Sequence, residues 1–385
     1  WESIQYQNAN NSVRVTDDFM GAVIADHDVS LKNVTDGSVH RQVSARRLLR
    51  RAAEAAWRCA DPGVQYHDTI NSWHTCPNTG PINASNPCGE YLSLDDSACN
   101  LASLNLLKFL DGLTLDVEGF KHAIRVLIVA MDAIVGHSAY PTAKIGKTAT
   151  AFRQLGLGYT NLGALLMSMG LPYDSPEGRK LAAALTSLMT GYAYQVSAEL
   201  AELAGPFDGF AVNSEPMLRV LAKHADHNYD LEVANSLVHQ AALEAWNTAL
   251  LLGRAHGYRN SQVSVLAPTG TISFMMDCDT TGIEPELALV KYKQLSGGGS
   301  MKIVNQSVQR ALRRLGYSAN SVTSIIEAIS DGSTIEGVVK PEHLPVFDCA
   351  LRPEHGIRFI TQEGHLLMMA AVQPFLSGGI SKTIN

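Results

Sequence analysis

Residues 262–273 read QVSVLAPTGTIS, a short apolar run followed by a loop with one proline, one glycine and two threonines. The β-branched residues at the start of this stretch predict a strand over 262–266. Just upstream, the helical spacing of apolar residues predicts a helix over 231–252. Helices of this length that alternate with short apolar strands are typical of an α/β fold with a mainly parallel sheet or barrel.

Three other segments contain helix signals. Ser44 is a suitable N-cap for the apolar and basic pattern that follows it. Apolar residues keep helical spacing over 120–135, and Ser175, followed by a proline, begins a pattern that runs to Gly205. Between 65 and 105 no long helical period occurs, so this stretch is predicted to consist of loops with short strands and turns.

Two cysteines stand out in the loop-like stretch NPCGEYLSLDDSACN, residues 86–100. Asn86 and Glu90 bracket Cys88 in an N-x-C-x-E frame, and Cys99 follows 99 − 88 = 11 residues later. Reactive groups are commonly presented on loops that a rigid scaffold holds. The motif is therefore a candidate catalytic site.

The residue types around Cys88 favour one kind of chemistry over another. A neighbouring carboxylate raises the pKa of a thiol, which is unfavourable for a thiolate nucleophile, and the motif contains no histidine to act as a base. The pattern suits a neutral thiol that loses a hydrogen atom, while Glu90 moves a proton, Asn86 holds a hydroxyl and Cys99 supplies reducing equivalents. A cysteine hydrolase or transferase that uses Cys88 as an ordinary nucleophile remains the alternative.

Two glycine-containing runs are candidate phosphate sites. Pro268, Thr269, Gly270, Thr271 and Ile272 follow a predicted strand and can present backbone N–H groups and hydroxyls to an anion, although an ordinary turn also fits. The run GLGYTNLG, residues 156–163, lacks the third glycine of a dinucleotide fingerprint. Tight packing at the start of a helix is the better interpretation of that run.

Composition excludes several classes of protein. The chain has 385 residues, 46% of them apolar and 17% charged, which indicates a globular fold. A net charge of −7 gives no reason to expect nucleic acid or a membrane surface as a partner. No signal peptide or membrane span is visible. The chain begins with Trp1 and stops within SGGISKTIN, so we expect part of a larger polypeptide or one half of a split protein.

The six cysteines point to a reducing compartment. None lies in a C-x-x-C pair, so neither a disulfide framework nor a structural zinc site is expected. A cytoplasmic protein without a bound metal ion fits this pattern.

Five ordered motifs together resemble one enzyme family. NPCGE and DDSACNLASLNL, followed by RNSQVSVLAPTGTIS, DCDTTGIEPE and SGGISKTIN, closely resemble the catalytic chain of ribonucleotide reductases, and within that family the adenosylcobalamin-dependent class II branch. The resemblance extends from Asn8 to the last residue.

The resemblance implies an α/β fold that forms part of a ten-stranded α/β barrel, in which a central loop carries a radical cysteine. Residues 1–64 would be a connecting region with a helix, and residues 65–385 the finger loop and the C-terminal half-barrel. The N-terminal half and the C-terminal tail of the family would be absent. The isolated fragment is then expected to be inactive.

The resemblance also implies roles for individual residues. Cys88 would form the thiyl radical that takes the ribose 3′ hydrogen, Glu90 would act as base at the 3′ hydroxyl, and Asn86 would position the substrate. Cys99 would be one member of the reducing cysteine pair. The implied substrate-binding residues are Asn86, Pro87, Cys88, Gly89 and Glu90, with Pro268, Thr269, Gly270, Thr271 and Ile272 at the phosphates.

Cofactor and partners follow from the same resemblance. The implied cofactor is adenosylcobalamin, which would keep its own base because the D-x-H-x-x-G motif is absent. The implied partners are a ribonucleotide substrate, dNTP or ATP effectors bound by the upstream region, a thioredoxin-like reductant, the missing N-terminal half and a second copy of the chain. A class I-type large subunit that needs a radical-generating partner, and a non-catalytic fragment, remain alternatives.

Overall fold

The computed structural model describes residues 9–112, 114–231, 236–294, 300–332 and 334–384. Its strands are β1 Ser12–Val15, β2 Asp28–Lys32, β3 Val39–Ser44, β4 Gly63–Tyr66, β5 Asn100–Asn105, β6 Leu110–Asp111, β7 Thr114–Leu115, β8 Leu155–Thr160, β9 Val290–Gln294 and β10 Ser300–Val304. Its α-helices are α1 Asp17–Ala25, α2 Ala45–Cys59, α3 His67–Ser72, α4 Val117–His137, α5 Ala143–Phe152, α6 Leu162–Ser168, α7 Pro176–Ala204, α8 Phe210–Tyr229, α9 Leu237–His256, α10 Thr271–Met275, α11 Gln306–Arg314, α12 Ala319–Gly332 and α13 Gln362–Val372.

A parallel arrangement of four extended segments forms the centre of the molecule. β5 pairs in parallel with β8, and β8 is bridged in parallel to the predicted strand 262–266 through Leu157 and Ser264. That segment is bridged in turn to Ile380 through Leu266. Helix α4 packs on β5 and β8, α7 contacts β8 and residue Ser264 through hydroxyl hydrogen bonds, and α9 packs on α7. The α/β class is therefore confirmed, and the described residues form no closed barrel.

The helix starts follow their sequence signals. Ser44 accepts a hydrogen bond from the backbone N–H of Arg47, and Ser175 accepts one from Gly178, so both act as N-caps as predicted. The predicted helix 231–252 is α9, which begins after Ser236; residues 232–235 lie outside the described ranges. Helix α7 is buried around most of its circumference. An all-round apolar helix of this kind belongs in the interior.

The interpretation of residues 156–163 as a helix start is correct only for its second half. Residues 155–160 form the fully buried strand β8, and helix α6 begins at Leu162. A Cβ atom on Gly158 would lie 2.4 Å from the carbonyl oxygen of Val265. Glycine is required because the neighbouring segment approaches so closely, and glycine also weakens the local strand signal.

None of the described helices is both long enough and apolar enough to cross a bilayer. The largest apolar core surrounds α4, α7 and α9, and a second core joins α11, α12 and the segment around Phe347. Trp246 of α9 packs on Gly191 of α7, where a Cβ would come within 2.9 Å of the indole ring. This close helix contact fixes the layer behind the central strands.

Candidate active site

Cys88 lies at the tip of a tight turn, residues 85–92, which we call the cysteine turn. Ser85 and Leu92 form an antiparallel bridge at its base. The Oδ1 atom of Asn86 accepts hydrogen bonds from the N–H groups of Gly89 at 3.1 Å and Tyr91 at 2.9 Å. Since the side chain of Asn86 closes the turn from inside, the position of Cys88 is fixed.

Burial separates the two reactive side chains of the turn. Cys88 is exposed, whereas Glu90 is only 1% exposed, and its Oε2 atom has no hydrogen-bond partner among the described residues. Desolvation and then the charge of Glu90 raise the pKa of the Cys88 thiol. The thiol is therefore protonated at neutral pH, as the sequence argument predicted.

The motif SGGIS anchors the cysteine turn to the central strands. The N–H of Gly379 donates to the carbonyl oxygen of Glu90 at 2.7 Å. A Cβ atom on Gly378 would lie 2.9 Å from that same oxygen, and one on Gly379 would lie 3.2 Å from the carbonyl oxygen of Gly89. The two glycines are needed because the turn lies directly against this segment.

Cys99 immediately precedes β5. A Cβ on Gly156 would come within 2.7 Å of its Sγ atom, so the thiol packs on the backbone of β8. Burial and then the charge of Glu90 raise the pKa of Cys99 far above its ordinary value. The charge of Glu90 therefore acts on both cysteines of the motif, the predicted radical residue Cys88 and the predicted reductant Cys99.

The predicted phosphate loop follows the segment 262–266. Thr269 is buried with φ +49°, and its hydroxyl lies 3.0 Å from that of Ser103 on β5. Gly270 precedes the short helix α10, where Thr271 and Ile272 are exposed. Ser103 is four residues after Cys99, about 13 Å along an extended strand. Because Thr269 contacts Ser103, the loop lies about that distance from Cys99 along β5.

Only some of the predicted residues line a cavity, and those of the cysteine turn and of the phosphate loop line different ones. Cys88, Glu90, Thr269, Thr271 and Ile272 line neither of these two cavities. Asn86 and Cys99 line one of about 380 Å³. Pro268 and Gly270 line another of about 660 Å³. Pro87 is exposed on the cysteine turn, outside both cavities.

Sequence reasoning missed the supporting contacts of this site. Ser103, which holds Thr269, is a strand residue without any local functional signal. The side chain of Gln262 is also buried, and its Nε2 atom has no hydrogen-bond partner among the described residues. No group of three or more His, Cys, Asp or Glu side chains suited to a metal ion occurs in the described part of the chain.

Comparison with known proteins identifies the family of this site. The model of the ribonucleotide reductase barrel domain matches residues 1–385. The chain belongs to the ribonucleotide reductase family. The resemblance drawn from NPCGE and the four other motifs is thereby confirmed.

Similar full-length ribonucleotide reductases share the B12-dependent name. The chain is 54% identical to the vitamin B12-dependent ribonucleotide reductase of Streptomyces coelicolor, with all of this chain and 40% of the relative covered. The protein of the same name from Rhodopirellula baltica is 52% identical, with 100% and 38% covered, and that from Agrobacterium fabrum 41% identical, with 100% and 40% covered. The chain thus spans about 40% of the length of these curated relatives.

Proposed function

We propose that the protein containing this chain reduces ribonucleotides to deoxyribonucleotides by thiyl-radical chemistry and so supplies DNA precursors. The observation that supports this most is the exposed, protonated thiol of Cys88 on a rigid turn, beside the buried carboxyl of Glu90. A nucleophilic hydrolase or transferase would need a thiolate at this position. The raised pKa of Cys88 therefore disfavours that alternative.

The side chains of the cysteine turn suit successive steps of this reaction. As a thiyl radical, Cys88 takes the 3′ hydrogen atom of the ribose, and Glu90 accepts the proton of the 3′ hydroxyl. The Oδ1 atom of Asn86 is occupied by the turn, so its NH₂ group is the part that donates to the substrate. The 2′ hydroxyl then leaves as water with the proton that Glu90 took from the 3′ hydroxyl, and Cys88 returns a hydrogen atom to C3′ after the ribose has been reduced.

Reduction of the deoxygenated ribose consumes two electrons and two protons, which a pair of thiols supplies as it becomes a disulfide. We assign Cys99 as one of these thiols, because it is half-buried and the charge of Glu90, which raises the pKa of Cys88, also raises the pKa of Cys99. The second thiol of the pair comes from the part of the polypeptide upstream of this chain. A thioredoxin-like protein would restore both thiols after each turnover.

The fold proposed for the complete catalytic domain is a ten-stranded α/β barrel with the cysteine turn at its centre. The four parallel segments and their helices would form most of its second half, within residues 65–385, and residues 1–64 would connect it to the first half. Leu101 on β5 is 53% exposed. An apolar side chain exposed on a central strand is consistent with further chain packing on that face.

Adenosylcobalamin is the cofactor that we propose, and a cavity beside the cysteine turn fits part of it. This cavity of about 230 Å³ is lined by Gly89, Gln262 and the aromatic rings of Tyr66 and Trp73. Gln262 would donate its buried NH₂ group, which has no hydrogen-bond partner among the described residues, to a polar atom of the cofactor, and Tyr66 and Trp73 would contribute aromatic surface. When bound, adenosylcobalamin supplies the radical that removes the hydrogen atom from the Cys88 thiol.

The remaining partners are proposed on the same family basis. They are dNTP or ATP effectors bound by the upstream region and a second copy of the chain. We also propose a cytoplasmic location, where the six unpaired cysteines stay reduced.

The first prediction tests the reaction and its cofactor together. We expect the full-length protein to convert ribonucleotides to deoxyribonucleotides only when adenosylcobalamin and a dithiol are both present. The measurement is deoxynucleotide formation with each component omitted in turn. Activity that needed a separate di-metal radical subunit instead would assign the protein to the class I type. Absence of activity with the complete set of components would contradict the proposed reaction and favour a non-catalytic protein.

The second prediction concerns the phosphate loop. Gly270→Asp should strongly weaken nucleotide binding, because it places a negative charge where the phosphates are expected. Gly270→Asn is the matched control, since a Cβ at this position meets no atom within 4 Å and the new side chain has nearly the same size. Thr271→Val should weaken binding by only about 0.5–1.5 kcal/mol, as for one hydrogen bond. Equilibrium dialysis with a radiolabelled nucleotide measures all three. Equal affinities for the Asp and Asn variants would remove the loop from the site.

A further inference from the structure

The cavity beside the phosphate loop contains a single cationic side chain. Of the described residues that line this space of about 660 Å³, only Lys291 is positively charged. The acidic side chains in the same wall are Asp279, Glu284 and Glu286. A nucleotide polyphosphate that enters an acid-lined cavity needs a countercharge, so the position of Lys291 determines how well such a ligand binds.

Lys291 is held at the cavity wall by two contacts. Its Nζ atom lies 2.7 Å from Oε1 of Glu286 and donates to the carbonyl oxygen of Asp279 at 2.8 Å. The side chain of Lys291 is 40% exposed, whereas that of Glu286 is 1% exposed. The ammonium group is therefore accessible from the cavity while its partner is not.

The carboxylate of Glu286 forms an ion pair with Lys291 that is readily broken. Its Oε1 atom also accepts from the N–H of Leu287 at 3.1 Å, but its Oε2 atom is buried without a partner among the described residues. Burial raises the pKa of Glu286 to about 7, even though Lys291 opposes the shift. A carboxyl that is so poorly solvated loses little when it takes a proton from solvent and releases its lysine.

Other cations near the cavity either form ion pairs or do not line it. The charge of Arg310 acts on Asp279, but Arg310 is not among the residues that line the cavity. Lys382 is fully buried and pairs with Glu284. Lys108 pairs with Asp277 at 2.8 Å and does not line the cavity. The hydroxyl of Thr269 lies within hydrogen-bonding distance of Ser103 and of the carbonyl of Ala267, so the loop offers mainly backbone donors.

We infer that Lys291 binds the terminal phosphate of the substrate and makes the site selective for nucleoside di- or triphosphates over monophosphates, with Glu286 holding its ammonium group until the nucleotide arrives. This inference rests on the proposed function, because it names the part of a nucleotide that one residue of that site recognises. When the phosphate takes over the ammonium group, the carboxyl of Glu286 becomes protonated from solvent.

The test compares nucleotide affinities of three variants of the full-length protein. Cytidine mono-, di- and triphosphate are titrated into the wild type and into Lys291→Met. We expect the variant to bind the di- and triphosphate about tenfold more weakly and the monophosphate with unchanged affinity. Lys108→Met removes an equal charge outside the cavity and should leave all three affinities unchanged.

Glu286→Gln provides a readout that a merely structural role would not give. The amide keeps the size of the side chain and removes the carboxylate that competes for Lys291. We expect equal or tighter binding of the di- and triphosphate, the opposite direction from Lys291→Met, whereas a structural pair would weaken binding in both variants. Unchanged discrimination in Lys291→Met, or weaker binding in Glu286→Gln, would overturn this inference alone. Failure of the wild type to bind any of the nucleotides would overturn the proposed function with it.

Discussion

Cys88→Ser is expected to abolish both deoxynucleotide formation and cleavage of the ribose 3′ C–H bond. A serine O–H bond is too strong to pass its hydrogen atom to the cofactor radical, so no side-chain radical forms at this position. The substitution should not disturb the fold, because the side chain is exposed and the turn is held by Asn86 and by the N–H of Gly379. The measurement is tritium release from 3′-tritiated substrate by the full-length protein with adenosylcobalamin and a dithiol.

A second cysteine provides the control for this experiment. Cys59 is half-buried at the end of α2, and it lines neither of the cavities to which the site residues contribute. Cys59→Ser should retain both tritium release and product formation. Tritium release from Cys88→Ser would contradict the entire radical mechanism. If Cys88 were alkylated rapidly at neutral pH and the protein were active without a cofactor, the result would instead support a hydrolase or transferase that uses Cys88 as its nucleophile.

Features that depend on neighbouring residues in the chain could be predicted from the sequence. The N-caps at Ser44 and Ser175, the loop character around Cys88 and the extended segment 262–266 all follow from local chemistry. The raised pKa of Cys88 was also predictable in direction, since Glu90 is two residues away. The structure adds desolvation as the larger cause.

Features that depend on contacts between distant parts of the chain could not be predicted. The hydroxyls of Ser103 and Thr269 lie within hydrogen-bonding distance although the two residues are 166 positions apart in the sequence. Nothing in the sequence near either residue indicates that contact. Gly158 likewise weakens the sequence signal for strand β8. A glycine is needed at this position because the backbone of Val265 lies too close for a Cβ atom. A single sequence reports backbone preference well, but it does not show which segment will pack on a given residue.

The buried polar groups beside the site illustrate the same limit. The raised pKa of Glu286 results from desolvation by the surrounding chain. The amide of Gln262 lines a cavity, and its Nε2 atom has no hydrogen-bond partner among the described residues. In the sequence, Glu286 is one of several acidic residues in DCDTTGIEPE. Burial distinguishes it from the others, and burial is a property of the whole fold.

Cys99→Ser is expected to separate hydrogen abstraction from product formation. Cys99 acts after the 3′ C–H bond is broken, as a source of electrons, so the variant should still release tritium from 3′-tritiated substrate while failing to yield deoxynucleotide. Its Sγ atom packs on Gly156, and the smaller hydroxyl fits the same space, so only a modest loss of stability is expected.

The alternative for Cys99 is that it is a buried packing residue. In that case Cys99→Ser would lower the melting temperature, while each folded molecule would release tritium and form deoxynucleotide at the wild-type ratio. The ratio of product to released tritium, measured with external dithiol and corrected for the folded fraction, distinguishes the two. We expect that ratio to fall close to zero in Cys99→Ser and to stay at the wild-type value in Cys59→Ser. A normal ratio in Cys99→Ser would exclude its role as reductant and leave the role of Cys88 untouched, because the two thiols act in different steps.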